Sequence, residues 1–239
     1  MASRTWPGAD HRPSMPSVRV LTYNVAGARH RTPLADVVRG VAPDVLVVNE
    51  TPKLPLLWRW QCARLAAEWS STRAAGGRDA GSNMICVSDR VQVLSTSARR
   101  LGQPLFAPRR GIVTAQCRVD GVEFGVVGVH LSLVAESRAV EAGEAVAAAD
   151  SLTGPVVICG DLNELPGRPA WRVLHRAGFT DFGDDTDMTF SSAQRVKRID
   201  AVLVRDAAAS LYGVPDVDAE LLRAASDHCP VEAVIDLPD

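Results

Sequence analysis

Lysine is almost missing from this 239-residue chain: Lys53 and Lys197 are its only two, so arginine supplies nearly all of its 26 basic residues. A guanidinium suits bidentate phosphate binding, but replacement this uniform reads mainly as codon bias. Cationic excess is lacking too. The formal net charge is -2, which excludes a global basic field for long nucleic acids and leaves only a local positive cleft. No run of about 18 apolar residues occurs, so no helix is expected to span a membrane. The opening MASRTWPGADHRPSMPS has no apolar h-region and does not read as a signal peptide. The cysteines, Cys62, Cys86, Cys117, Cys159 and Cys229, are odd in number and lack zinc-ligand spacing. Cys86, Cys117 and Cys159 sit inside apolar runs, as core thiols of a reducing compartment do. These absences together predict a cytoplasmic protein. No internal repeat, low-complexity block or basic-aromatic insert is evident.

What is present is a core. Hydrophobic residues make up 46% of the chain, enough for one large domain. Residues 1–16 carry Pro7, Pro13 and Pro16 between polar residues and are expected to form a flexible tail. Residues 17–239 are expected to form the domain. Val18–Val25 alternates like a strand. Asp44–Glu50 is apolar until Asn49 and Glu50, the pattern of a strand buried on both faces. Helices are expected from Pro33 to Gly40, Leu54 to Trp69, Ala135 to Leu152 and Arg168 to Arg176. Strands are expected near 82–88, 91–97, 111–119, 122–131, 154–160, 199–204 and 231–237, with Asp120-Gly121 as a type I′ hairpin turn. Strands with helices between them imply two packed sheets covered by helices. Trp58, Trp60 and Trp69 read as packing or surface residues rather than a base-stacking platform.

Polar residues gather where the apolar runs end. Gly160-Asp161-Leu162-Asn163 closes the run GPVVICG. Ser226-Asp227-His228-Cys229-Pro230-Val231 precedes the last strand. Thr22-Tyr23-Asn24-Val25, Val48-Asn49-Glu50, Gly128-Val129-His130-Leu131 and Arg198-Ile199-Asp200-Ala201 complete a set of six in fixed order. Each is ambiguous alone. Asn24 equally describes a turn, Asp161-x-Asn163 an Asx turn or helix cap, and His130 a satisfied core imidazole. Arg110 equally describes a solvent-facing side chain. Hard oxygen donors of this kind favour Mg²⁺, whereas Cys or His clusters would favour a softer metal.

From about Val18 to the C-terminus the six motifs resemble the endonuclease/exonuclease/phosphatase superfamily, the DNase I-like proteins. The resemblance implies an α/β fold, a four-layer α/β/β/α sandwich of two mostly antiparallel or mixed sheets flanked by helices. It also implies Mg²⁺-dependent hydrolysis of a phosphoester, with Mn²⁺ able to substitute. Glu50, Asn24 and Asp227 would be the metal-site residues. Asp161 would orient or deprotonate the attacking water, and Asn163 would position Asp161 and the phosphate. His130 and His228 would contact phosphate, with Asp200 behind the His228 ring. Arg110 would brace the acidic cluster or meet substrate. Asn49 stands where family members often carry Gln, and Ala26 stands where abasic-site endonucleases carry an acid.

Substrate class stays open between a phosphodiester, in single-stranded nucleic acid or a small phosphorylated molecule, and a phosphomonoester. A groove lined by Arg99, Arg100, Arg109, Arg195 and Arg198 would suit a nucleic-acid backbone. A non-catalytic binding module on the same fold is the rival reading. A monomer is expected.

Overall fold

The computed structural model describes residues 15–102 and 108–238. Most of the expected N-terminal tail therefore lies outside the described residues. The alternating run VRVLTYNV forms β1 (Ser17–Asn24), which pairs parallel with β2 (Val45–Asn49) and antiparallel with β12 (Val231–Asp236). With β3 (Thr72–Gly77), β4 (Asn83–Val87) and β11 (Ala208–Gly213) they make one six-stranded sheet, in the order β11-β12-β1-β2-β4-β3. The second sheet contains β5 (Gln92–Arg100), β6 (Gly111–Val119), β7 (Val122–His130), β8 (Val156–Asp161), β9 (Thr180–Asp181) and β10 (Asp200–Arg205). Its order is β5-β6-β7-β8-β10-β9, with β7 and β8 parallel.

Side-chain alternation explains the layers. On β2, Val45 and Val47 enter the core between the sheets with Val20, Val113, Val126, Val157 and Val202. Leu46 and Val48 face the other way, under α1 (Arg31–Val41), α2 (Trp58–Glu68) and α5 (Ala219–Ala225). The second sheet turns Val127, Val129, Ile158 and Leu203 toward α3 (Ala135–Ala149) and α4 (Pro169–Arg176). The result is the α/β/β/α sandwich expected from the motifs. All five cysteines are free and buried. Among the described residues no helix is long and apolar enough to cross a membrane.

Several elements differ from expectation, each for a physical reason. Helix α2 begins at Trp58 rather than Leu54. Pro55 disfavours helical backbone at the residue before it, and Leu56 takes a left-handed φ of 67°. β3 ends in Ala-Ala-Gly-Gly and β11 is a half-exposed edge, so neither carries the β-branched alternation that marks a strand. The Asp120-Gly121 turn has positive φ at both residues, 49° and 88°, as type I′ requires.

One buried amide fastens the sheets together beside the strand ends. Asn49, at the end of β2, accepts a hydrogen bond from the Asp161 backbone N–H at 2.9 Å. Its Nδ2 donates to the Val129 carbonyl at 2.7 Å and to Asn83 Oδ1 at 2.9 Å. Asn83 passes the chain on to the Gly111 carbonyl at 2.7 Å. Replacing Asn49 with Leu strands these buried groups, at about 1–3 kcal/mol for each left unsatisfied. We expect Asn49→Leu to lower stability by about 3 kcal/mol or more, read as an earlier urea midpoint; an unchanged midpoint would show that the clasp is dispensable.

Candidate active site

Topology brings the six motifs to one end of the sandwich. The parallel pairs β1/β2 and β7/β8 end together: Asn24 aligns with Asn49, and His130 with Asp161. The antiparallel strands β10 and β12 begin at that same end, with Asp200 opposite Asp161 and Val231 opposite Thr22. Gly160 makes the approach of β7 and β8 possible. Its φ is 144°, and a Cβ there would lie 1.9 Å from the Val129 carbonyl oxygen. Any other residue would push the strands apart just where Asp161 leaves β8.

The centre is a buried acid–imidazole chain. His228 Nδ1 and Asp200 Oδ2 are 2.8 Å apart. The opposite ring nitrogen, Nε2, lies 3.4 Å from Asn24 Nδ2 and 3.8 Å from Asp161 Oδ2. Asn24 donates to the same Asp161 oxygen at 3.1 Å, and His130 Nε2 lies 3.3 Å from it. The other oxygen, Oδ1, accepts from the Asn163 backbone N–H at 2.8 Å. Asn163 is itself tied to the Leu131 carbonyl at 3.0 Å. Asp161, Asp200, His130 and Asn24 are each no more than 3% exposed.

Burial and crowding set the charges. Burial and the nearby Asp200 charge raise the Asp161 carboxyl above the usual carboxylate range. Burial alone would lower His228, but the charges of Asp200, Asp161 and Asp227 and the Asp200 hydrogen bond outweigh it and hold the imidazole up at about 9. His130 goes the other way. Burial, then the charges of Arg110, His228 and Lys53, push it well below its ordinary value, so it is neutral at pH 7.

Glu50 and Asp227 flank this chain. Glu50 is half-buried and follows β2 with a left-handed φ of 58°. It lines a cavity of about 420 Å³ with Ala26, Gly27, Arg29 and Lys53. Asp227 is exposed, and its backbone carbonyl accepts from the Ser192 N–H at 2.7 Å. Arg110 is buried behind the acids, within the fields of Asp161, Glu141 and Glu50, although burial pushes its pKa down.

The donor chemistry fits a hard divalent cation. Asp161, Asp200 and His228 each offer a ligand atom within 4.8 Å of the others. Asp200 and Nδ1 of His228 are already committed to one another, however. A buried carboxylate such as Asp161, whose proton affinity is raised by burial and by the nearby Asp200 charge, is what a cation relieves. The carboxylate and amide oxygens of Glu50, Asp227 and Asn24 are of the type that Mg²⁺ prefers.

Some contributors escape a motif reading. Asn49 and its clasp are one. Thr189 is another: its buried Oγ1 accepts the backbone N–H groups of Ile199 and Asp200, each at 3.2 Å, and so fixes the dyad acid. Phe190 lies against His228 with ring centroids 4.8 Å apart. Ser226 Oγ donates to the Asn24 carbonyl at 2.7 Å. The expected arginine groove does not form as a unit. Arg198 is buried and paired with both oxygens of Asp181, at 3.0 and 2.5 Å, while Arg99 is paired with Glu144 at 2.8 Å.

The description endonuclease/exonuclease/phosphatase family matches residues 21–228. The chain belongs to that family. No protein of curated function matches it by sequence. A Bacteroides vulgatus endonuclease/exonuclease/phosphatase is 20% identical, with a TM-score of 0.77 over 93% of this chain and 100% of that one. The Bacteroides thetaiotaomicron mannosyl-6-phosphatase is 17% identical, with a TM-score of 0.71 over 90% and 98%. D. rerio TDP2, complexed with a single-strand DNA product, is 16% identical, with a TM-score of 0.65 over 92% and 98%. At these identities the likeness shows a shared fold and leaves substrate open.

The His228 value is testable in the metal-free protein. Asp200→Asn removes the largest upward influence, so the imidazole should titrate well below about 9 by NMR. Proton binding at His228 is thereby linked to stability. A folded value above the ordinary 6.5 means that the imidazolium stabilises the fold fully below pH 6.5, and that this contribution fades as pH rises through about 9. The stability gap between wild type and Asp200→Asn should narrow over that window. An unmoved His228 titration would break the proposed coupling.

Proposed function

We propose that the protein is a Mg²⁺- or Mn²⁺-dependent phosphodiesterase that uses water to cleave its substrate. The observation that carries this reading is the buried Asp200–His228 pair with Nε2 turned toward Asp161 and Asn24. Glu50, Asp227 and Asn24 would hold the cation. When bound, it would neutralise the phosphate and stabilise the leaving oxygen.

The protein's own groups divide the remaining work. His228, held protonated by Asp200, is a poor base and a good partner for a phosphate oxygen as negative charge builds there. Asp161 has the opposite character. Its raised proton affinity makes it the more basic carboxylate, suited to take a proton from the attacking water. Asn163 fixes one Asp161 oxygen through its backbone N–H and leaves the other toward the reaction. Neutral His130 packs beside that second oxygen and keeps its orientation.

Space on two sides supports a diester. Beyond His228 and Asn163 lies a cleft of about 600 Å³, lined by Leu133, Leu165, Phe190, Lys197 and Ile199. On the other side is the Glu50 cavity. Each can take one ester substituent, whereas a monoester needs only one. The apolar and aromatic wall of the larger cleft suits an organic substituent better than a bare phosphate oxygen.

Chelation with EDTA should abolish hydrolysis of bis-p-nitrophenyl phosphate, and Mg²⁺ should restore it. Full turnover after chelation would sink the metal reading, and faster turnover of p-nitrophenyl phosphate would sink the diester reading. Glu50→Gln should shift the metal titration to higher concentration in a protein that still folds.

His228→Ala should lower turnover by about 10²-fold or more, as for a lost preorganised charge stabiliser. Asp200→Asn should lower it less, and the double variant should be no worse than His228→Ala, because the carboxylate works through the imidazole. Independent, multiplying losses would separate the two residues.

A further inference from the structure

Next to the Glu50 cavity is a second one made of cations. Lys53, Arg78 and Arg109 line it together with Ser82 and Pro108, around about 320 Å³, and among the described residues no carboxylate shares the lining. Elsewhere the protein pairs its guanidiniums readily, as in Arg31–Glu68, Arg138–Glu164 and Arg198–Asp181. Among the described residues, Lys53, Arg78 and Arg109 have no such partner. Like charges held together repel one another.

The cavity walls are held by backbone packing. Arg78 directly follows β3, and a Cβ on the preceding Gly77 would lie 2.4 Å from the Trp58 ring, so this turn is pressed against α2. A Cβ on Gly81 would lie 2.3 Å from the Arg110 backbone, so the strand entry carrying Arg109 is pressed against the same turn. Arg100 adds hydrogen bonds from its guanidinium to the Arg78 carbonyl, each at 3.2 Å. Lys53 sits three residues beyond Glu50 and lines both cavities. The cationic cavity and the reaction centre therefore share a wall. The Lys53 charge also reaches inward to His130.

We propose that this cavity binds a second, non-reacting phosphate of the substrate. Cations arriving from three separate chain segments suit a tetrahedral anion with several oxygens better than a flat carboxylate. The proposal rests on the phosphoesterase reading for its role, although not for its chemistry. The second phosphate could belong to a nucleotide strand or to a small polyphosphorylated molecule, and experiment distinguishes the two.

The full chain is titrated by calorimetry in EDTA, which prevents turnover, with two ligand pairs. One pair is a nucleoside bisphosphate, phosphorylated on both hydroxyls of one deoxyribose, against the matching monophosphate. The other is an inositol bisphosphate against its monophosphate. The second phosphate should tighten binding about tenfold or more in at least one pair, and that pair identifies the source.

Arg78→Ala and Arg109→Ala should each remove most of the gain, and Arg78→Lys should retain part of it. Arg176→Ala, at the far end of α4, should leave it intact. Melting curves establish that each variant is folded. Equal affinity within both pairs, or a gain that survives both alanine changes, would overturn the proposal. A gain without hydrolysis of any phosphoester would leave the anion site standing and overturn the catalytic reading instead.

Discussion

Everything at the reactive end depends on two sheets being held in fixed register across a buried gap, and the Asn49 amide does the holding. Hydrophobic packing between the sheets is strong but indifferent to small slides. Hydrogen bonds of 2.7 and 2.9 Å from one side chain to Val129 and Asp161 are not indifferent. Asn24 rides on the first sheet and Asp161 on the second, yet Asn24 donates to Asp161 at 3.1 Å. A slide of one ångström would dissolve that contact. The nearby Gly160 acts to the same end within the second sheet, since only a residue without Cβ lets β7 and β8 meet there.

The electrostatic design is one of deliberate crowding. Asp161 and Asp200 face each other across neighbouring strands, in register and nearly without solvent. Burying either carboxylate alone would be costly. The cost is offset in two ways: Asp200 is paired with an imidazolium, and Asp161 collects hydrogen bonds from Asn24 and Asn163. What is left uncompensated is the elevated proton affinity of Asp161. Burial and neighbouring charges drive the two histidines apart. His228, backed by a carboxylate, holds a proton, while His130, fully buried and then faced by cations, gives it up. Two imidazoles near one carboxylate thus play different parts, because of what stands behind each.

Much of this was legible in the sequence wherever side-chain period and strand ends coincide. The run of β2 announces burial on both faces, and Asn24, Glu50, His130, Asp161 and Asp200 all fall at predicted strand boundaries. Strand ends are easy to read because apolar alternation stops abruptly there. The unread parts have no such edge. Residues 72–77 are mostly Ala and Gly and become a strand only because β4 offers a ladder. Thr189 supports Asp200 through a single hydroxyl from a segment with no periodicity. Asn49 was visible as a departure from the usual Gln, but its partners Val129 and Asn83 lie 80 and 34 residues away, which local pattern cannot supply. Arg198 shows the converse error. As an arginine beside Asp200 it looks like a substrate contact, yet tertiary packing buries it against Asp181.

The arginines sort into two populations by partner. Those on the flanks, such as Arg31, Arg90 and Arg205, meet carboxylates and are half-exposed pairs of small energetic consequence. Beside the Glu50 cavity, Arg78 and Arg109 have no carboxylate partner among the described residues, and Lys53 joins them. A chain with a net charge of -2 therefore still presents a locally positive surface where an anion would arrive. Acids in the centre would repel that anion on their own. The cationic rim formed by Lys53, Arg78 and Arg109 offsets that repulsion on the side where it borders the Glu50 cavity.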